Sequence, residues 1–160
     1  MLIVDYFSRF TRTLFLAAKN EIFYAFKELA KVSKNEKGSK IVSLRSDHGG
    51  EFQNEKFKHF CEKHGIKHNF STLGTPQQNG VVERKNKSLE ELARTMLNET
   101  SLPKYFCVHA VNTTSYVLNR VLIRLILKKT PYDLFKGRRH ALNHLQVFGC
   151  KCFILNNGKK

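Results

Sequence analysis

Asp47 and Glu83 are the two residues whose type and spacing could do chemistry. Asp47 lies in Ser43-Leu44-Arg45-Ser46-Asp47-His48-Gly49-Gly50-Glu51-Phe52, and Glu83 in Thr75-Pro76-Gln77-Gln78-Asn79-Gly80-Val81-Val82-Glu83-Arg84-Lys85-Asn86-Lys87. Asp47 follows a short apolar run that reads as a strand, Glu83 stands near the start of an amphipathic helix, and thirty-five residues lie between them. Carboxylate oxygens are hard ligands that suit Mg²⁺ or Mn²⁺. A pair of such ions serves phosphodiester chemistry by activating the attacking oxygen and neutralising the leaving one. Two acids hold two divalent ions poorly, so a third carboxylate is expected, and on the residues alone Asp5 is the best candidate. The plainer reading of Glu83 with Lys87, Glu90 and Arg94 is a solvated charged face on a helix.

Charge points the same way as the acids. The 160 residues hold 28 Lys and Arg against 13 Asp and Glu, a formal charge of +15. Such a surplus points to a polyanion or an anionic membrane surface, and of the two nucleic acid is the expected partner. No apolar run approaches the ~20 residues of a spanning helix, and no signal-peptide pattern opens the chain, so no membrane role is expected. The expected place is intracellular, in the nucleus or a cytoplasmic particle. Cys61, Cys107, Cys150 and Cys152 show no disulfide framework. His140, His144, Cys150 and Cys152 invite a zinc reading, but Cys-x-Cys is tighter than the usual spacing, and buried thiols on a strand over residues 145 to 155 are favoured. The set Cys61, His64 and His68 is set aside likewise, because Cys61 and His64 share a helical packing face with Phe57 and Phe60.

The elements that must position the acids follow in order. Residues 2 to 7 and 11 to 16 read as a β-hairpin. A helix is expected from an Asn20 cap, with Ile22, Phe26, Leu29 and Ala30 inward, as far as a charged loop over residues 33 to 40. Ile41 to Leu44 reads as a strand with Asp47 beyond its carboxyl end, where ligands gather in α/β sheets. A helix over 54 to 64 ends at Gly65, a strand covers 66 to 70, and a polar loop covers 71 to 79. The helix from Gly80 to Asn98 has an apolar stripe of Val82, Leu89, Ala93, Met96 and Leu97. Another covers Tyr105 to Arg120 with Phe106, Ala110, Thr113 and Val117 on one face. Periodicity does not decide residues 121 to 130, where a strand, a helix extension and a membrane-surface segment all stay open, and Thr130-Pro131 opens a short helix that Gly137 stops.

The two quoted motifs, with Ala93-Arg94-Thr95-Met96-Leu97 and His144-Leu145-Gln146-Val147-Phe148-Gly149-Cys150, resemble the integrase core of copia-type LTR retrotransposon polyproteins over nearly the whole chain. The resemblance implies a ribonuclease H-like α/β fold, a mixed sheet flanked by helices. Residues 1 to 100 would form part of the catalytic core, and 101 to 160 its C-terminal helices, strand and extension. It implies Mg²⁺- or Mn²⁺-dependent joining of element DNA to host DNA through an Asp, Asp, Glu triad, with DNA and an integrase oligomer as partners. Asp47 and Glu83 match the second and third acids. Lys87 matches a contact to the DNA end, Gln77, Gln78 and Asn79 lie in the flexible loop beside the site, and Arg84, Lys85, Gln78 and Asn79 are the further residues expected to bind DNA. Asp5 does not carry over, because the family's first Asp lies on the strand before the Val-Asp-Tyr-Phe segment. His48 and Gly74 are lesser departures from the family pattern. The expectation is therefore a core lacking its first, central strand, with weakened metal binding and no strand transfer of its own; the alternative is a non-enzymatic, domesticated nucleic-acid-binding protein.

Overall fold

Short apolar runs at the N-terminus pair as a hairpin in the computed structural model, which describes residues 1–38, 40–72 and 79–154. β1 (Leu2–Val4) lies antiparallel to β2 (Thr11–Thr13), with Ile3 opposite Arg12. The chain divides into two compact units, Met1–Lys87 and Ser88–Lys160.

In the first unit a 3₁₀ turn (Lys19–Glu21) leads into α1 (Ile22–Lys37). The expected Asn20 cap is not used: no side chain caps this end, and the Glu21 carboxylate instead accepts the Ala17 N–H at 3.0 Å. Nor does α1 stop at residue 33. Its charged last turns are made of residues that tolerate helix well, and it ends only at Gly38, whose φ of 65° suits glycine. β3 (Ser43–Ser46) begins two residues later than expected and pairs in parallel with β4 (Lys67–Phe70). Between them runs α2 (Glu55–His64). The Asn54 side chain accepts the Phe57 N–H at 2.9 Å at its start, and Gly65 at φ 66° closes it. Ile22, Phe26, Phe57, Cys61 and Ile66 form the core, with Phe26 stacked on the fully buried Phe57 at 5.1 Å.

Among the described residues the four strands make two separate ladders, β1-β2 and β3-β4. β1 and β3 are not paired with each other, yet Ile3 from one and Leu44 from the other pack on the same aromatic core. The two ladders share this core without joining into one sheet among the described residues.

The second unit takes up α3 (Gly80–Glu99) after Lys87 and continues with a 3₁₀ turn (Lys104–Phe106), α4 (Cys107–Val121) and α5 (Pro131–Lys136). Leu89 and Ala93 are buried as expected, whereas Val82 is exposed. The buried face of α4 is Ala110, Thr114, Ser115, Leu118 and Asn119, turned about one residue from the expected stripe, on which Phe106, Thr113 and Val117 are only half-buried. Polar residues are tolerated there because they find partners; the Thr114 hydroxyl donates to the Met96 sulfur at 3.5 Å. Thr130 caps α5 through the Asp133 N–H at 3.2 Å, Pro131 occupies its first turn and Gly137 ends it, as the sequence indicates.

Residues 121 to 130 form neither a strand nor a helix extension. Arg124 and Lys129 make an isolated bridge around a tight turn that leaves Leu125 and Ile126 88% and 91% exposed. The expected strand over residues 145 to 155 is also absent from its described part, where Gly149 at φ 80° breaks the extended run. Cys150 and Cys152 are consequently exposed, not buried, and only Cys61 of the discussed thiols lies in a core.

Candidate active site

Parallel pairing brings the carboxyl ends of β3 and β4 side by side, with Ser46 opposite Phe70. Asp47 is the next residue, exposed, its Oδ1 accepting the Gly49 N–H at 3.2 Å. Beyond β4 the Ser71 N–H donates to the Ser46 carbonyl at 2.9 Å, so the two chains leave the sheet together. Ser71 is buried, and its hydroxyl accepts the Asn79 side-chain amide at 3.0 Å. The Asn79 carbonyl in turn accepts the Val82 and Glu83 N–H groups at 2.9 and 3.0 Å, opening α3. A short series of hydrogen bonds thereby fastens the first turn of α3, which carries Glu83, to the strand end that carries Asp47. Gln77 and Gln78 lie outside the described residues, as does Gly74.

The supports of this end are aromatic and imidazole groups that the motif reading left aside. His68 Nε2 and the Ser46 hydroxyl are 2.9 Å apart, and the His68 ring lies 4.2 Å from Phe70 and 5.6 Å from Phe57. Burial holds the His68 imidazole below its ordinary range, which keeps it a neutral hydrogen-bonding partner. His48 stacks on Phe70 at 5.3 Å and meets the Gln53 amide at 2.7 Å. Glu51 folds under Gly49: a Cβ at Gly49 would lie 2.7 Å from the Glu51 carboxyl carbon. Glu51 also faces Lys19 at 3.9 Å.

Asp5 is placed elsewhere by its bonds. Its Oδ2 accepts both the Ser8 N–H at 2.8 Å and the Ser8 hydroxyl at 2.6 Å, closing the turn between β1 and β2 over a fully buried Ser8. Of the expected DNA contacts, Lys87 is exposed, while Lys85 is half-buried and its amine is held below its usual range by that burial. The Arg84 guanidinium curls back toward Gly80, with Nη1 3.1 Å from where a Cβ would stand. The side-chain amide of Asn79 is engaged by Ser71. No group of three or more His, Cys, Asp and Glu able to hold a metal occurs among the described residues. That holds for both zinc readings: His140 bonds Asp133 at 3.0 Å, His144 meets the Tyr116 hydroxyl at 2.9 Å, and His68 meets Ser46.

The integrase core domain family matches residues 1–76, which include β1 to β4 and Asp47. A retrovirus-related Pol polyprotein from transposon TNT 1-94 of Nicotiana tabacum is 37% identical over 150 residues, 94% of this chain and 11% of that protein. Residues 1–76 belong to the integrase core family. The chain's relatives are copia-type polyproteins; one from transposon RE2 of Arabidopsis thaliana is 33% identical over 96% of this chain and 10% of its own length. The chain spans about a tenth of the length of those polyproteins. Its fold is that of the catalytic core domain of HTLV-2 integrase, solved in complex with magnesium in a trimeric form. The TM-score is 0.63 at 24% identity, over 82% of this chain and 80% of that one. Asp47, exposed just beyond β3, and Glu83, exposed on the first turn of α3, each carry the oxygen donors that a hard divalent ion takes.

Proposed function

We propose that this chain is the part of a retrotransposon integrase that presents Asp47 and Glu83 for metal-dependent DNA strand transfer. The observation that carries the reading is the hydrogen-bonded series from Ser46 through Ser71 and Asn79, which ties the two acids' elements together. Asp47 and Glu83 would hold Mg²⁺ or Mn²⁺, and such an ion, when bound, neutralises charge on the phosphate under attack. Lys87, exposed one turn after Glu83 on α3, would hold a phosphate of the DNA end beside that pair. Lys85 would approach DNA from a half-buried position, its charge favoured again once a phosphate stands near.

Two carboxylates make an incomplete ligand set, so metal binding by this chain is weak and strand transfer is below detection. DNA binding persists, since it draws on phosphate contacts and the surplus of +15. The magnesium complex and trimeric form of the HTLV-2 core support a divalent ion and an oligomer as partners of the working assembly. Such an assembly would act in the nucleus or in a cytoplasmic particle. An oligonucleotide assay with Mn²⁺ or Mg²⁺ tests this: joined product is absent, and salt-sensitive binding of the same duplex is present. Product that disappears in Asp47→Asn would show the carboxylate pair to be sufficient and would overturn the incomplete-site reading.

A further inference from the structure

Arg120 is the centre of a second basic site, lying wholly within the Ser88–Lys160 unit. Its guanidinium carbon sits 3.4 Å from the ring centroid of Tyr116 and 4.1 Å from that of Tyr132, and its Nη1 donates to the Tyr116 carbonyl at 3.1 Å. A planar cation clasped by two rings is already ordered and loses little freedom when a ligand arrives. Arg138, Arg139 and His144 help enclose a cleft of about 250 Å³ beside it. Arg138 and Arg139 are exposed, and the Tyr116 hydroxyl and His144 Nε2 are 2.9 Å apart at its rim.

The charge of this region is strongly one-sided. From Thr100 to Lys160 the sequence holds eleven Lys and Arg and a single acid, Asp133. That acid faces inward on its own partners. Burial pushes its carboxyl up, but hydrogen bonds from His140 and Thr130 outweigh this and hold it below the usual range. Asp133 is thus engaged at 3.0 Å by His140, and its single negative charge stands against the three arginines, Arg120, Arg138 and Arg139, that line the cleft.

We propose that this cleft binds the phosphodiester backbone of a nucleic-acid strand, with Arg138 and Arg139 holding phosphate oxygens against the fixed Arg120. The proposal rests on the nucleic-acid reading above and adds a contact independent of the carboxylate pair. A strand fits better than a free phosphate. Each exposed guanidinium holds one phosphate weakly, and a polymer that offers several in series gains from counterion release where a single phosphate does not. Neither the motif spacing nor the apolar periodicity marks this site; the signals are Tyr116 and Arg120 one helical turn apart and the basic run before His140.

The test is fluorescence anisotropy of a labelled 20-nucleotide poly-dT on the whole chain, without divalent metal, across a salt series. Arg138→Gln with Arg139→Gln is expected to weaken binding about 10-fold and to lower the log–log salt slope by about 1 to 2. The control Lys128→Gln with Lys129→Gln removes two likewise exposed charges from the same unit and is expected to change affinity less than about 3-fold. Equal losses in both variants would show diffuse attraction and overturn the proposal, as would an unchanged affinity in the arginine variant. Inorganic pyrophosphate is the second arm. Displacement of the strand by micromolar pyrophosphate would make the cleft a free-phosphate site and overturn the strand reading. Absence of any salt-sensitive binding by the native chain would overturn the nucleic-acid reading itself, whereas native binding that the arginine variant keeps in full would overturn the cleft alone, so the two fail separately.

Discussion

Asp5 and Asp47 carry the same carboxylate, and their neighbours give them different work. Asp5 accepts two bonds from Ser8, one of them from a buried hydroxyl, whereas Asp47 stands exposed at the end of β3. Asp5→Ala should therefore cost stability, about 1–3 kcal/mol for the partners it leaves unpaired, seen as a lower urea midpoint at unchanged slope. It should leave Mn²⁺ affinity as it was, and a loss of that affinity would make Asp5 a ligand. The Asp-x-x-Ser spacing of a side-chain-closed turn is legible in the sequence, but only after the acid is asked what it bonds locally. Gly149 is a second case decided by its surroundings. Its φ is 80°, and a Cβ there would lie 2.8 Å from the Thr100 side chain. Gly149→Ala should destabilise the second unit by about 1–3 kcal/mol, read as an earlier thermal transition; an unchanged transition would mean that Thr100 gives way freely.

The elements that were easiest to read are those whose signals are local. α2 shows its Phe57, Phe60 and Cys61 stripe and its Gly65 stop within nine consecutive residues, and the structure keeps them, with Phe60 only half-buried. The buried face of α4 was harder, because Thr114, Ser115 and Asn119 are polar and their burial depends on partners outside the helix. Residues 145 to 154 failed for a related reason: alternation alone makes no strand where no neighbour supplies the ladder. β3 and β4 meet a partner, and His68 shows how that pairing titrates. Its folded pKa lies below the ordinary 6.5, so in the window between them the unfolded chain binds more protons. Stability of the first unit is then full above 6.5 and falls as pH drops toward the folded value. Denaturation midpoints at a series of pH values should show this slope in the native chain and a flatter one in His68→Gln. An unchanged slope in the variant would assign it to another group.

For the whole chain, charge and two motifs carried most of what could be read without coordinates. The excess of Lys and Arg pointed to a polyanion and the spacing of Asp47 and Glu83 to a divalent metal, while the fold came from the motifs' resemblance to integrase cores, and the likeness to a solved integrase core bears the fold out. The link between the acids was not legible, since it runs through Ser71 and Asn79, which no ligand pattern selects. Nor was the clasp on Arg120, which needs Tyr132 brought back from another element. The account stands on Asp47 and Glu83 acting as one site. Mn²⁺ titration followed by electron paramagnetic resonance measures that directly. One weak ion, with affinity on the order of millimolar, should bind to the native chain and be lost equally in Asp47→Asn and in Glu83→Gln. Binding that survives either substitution undiminished would contradict it.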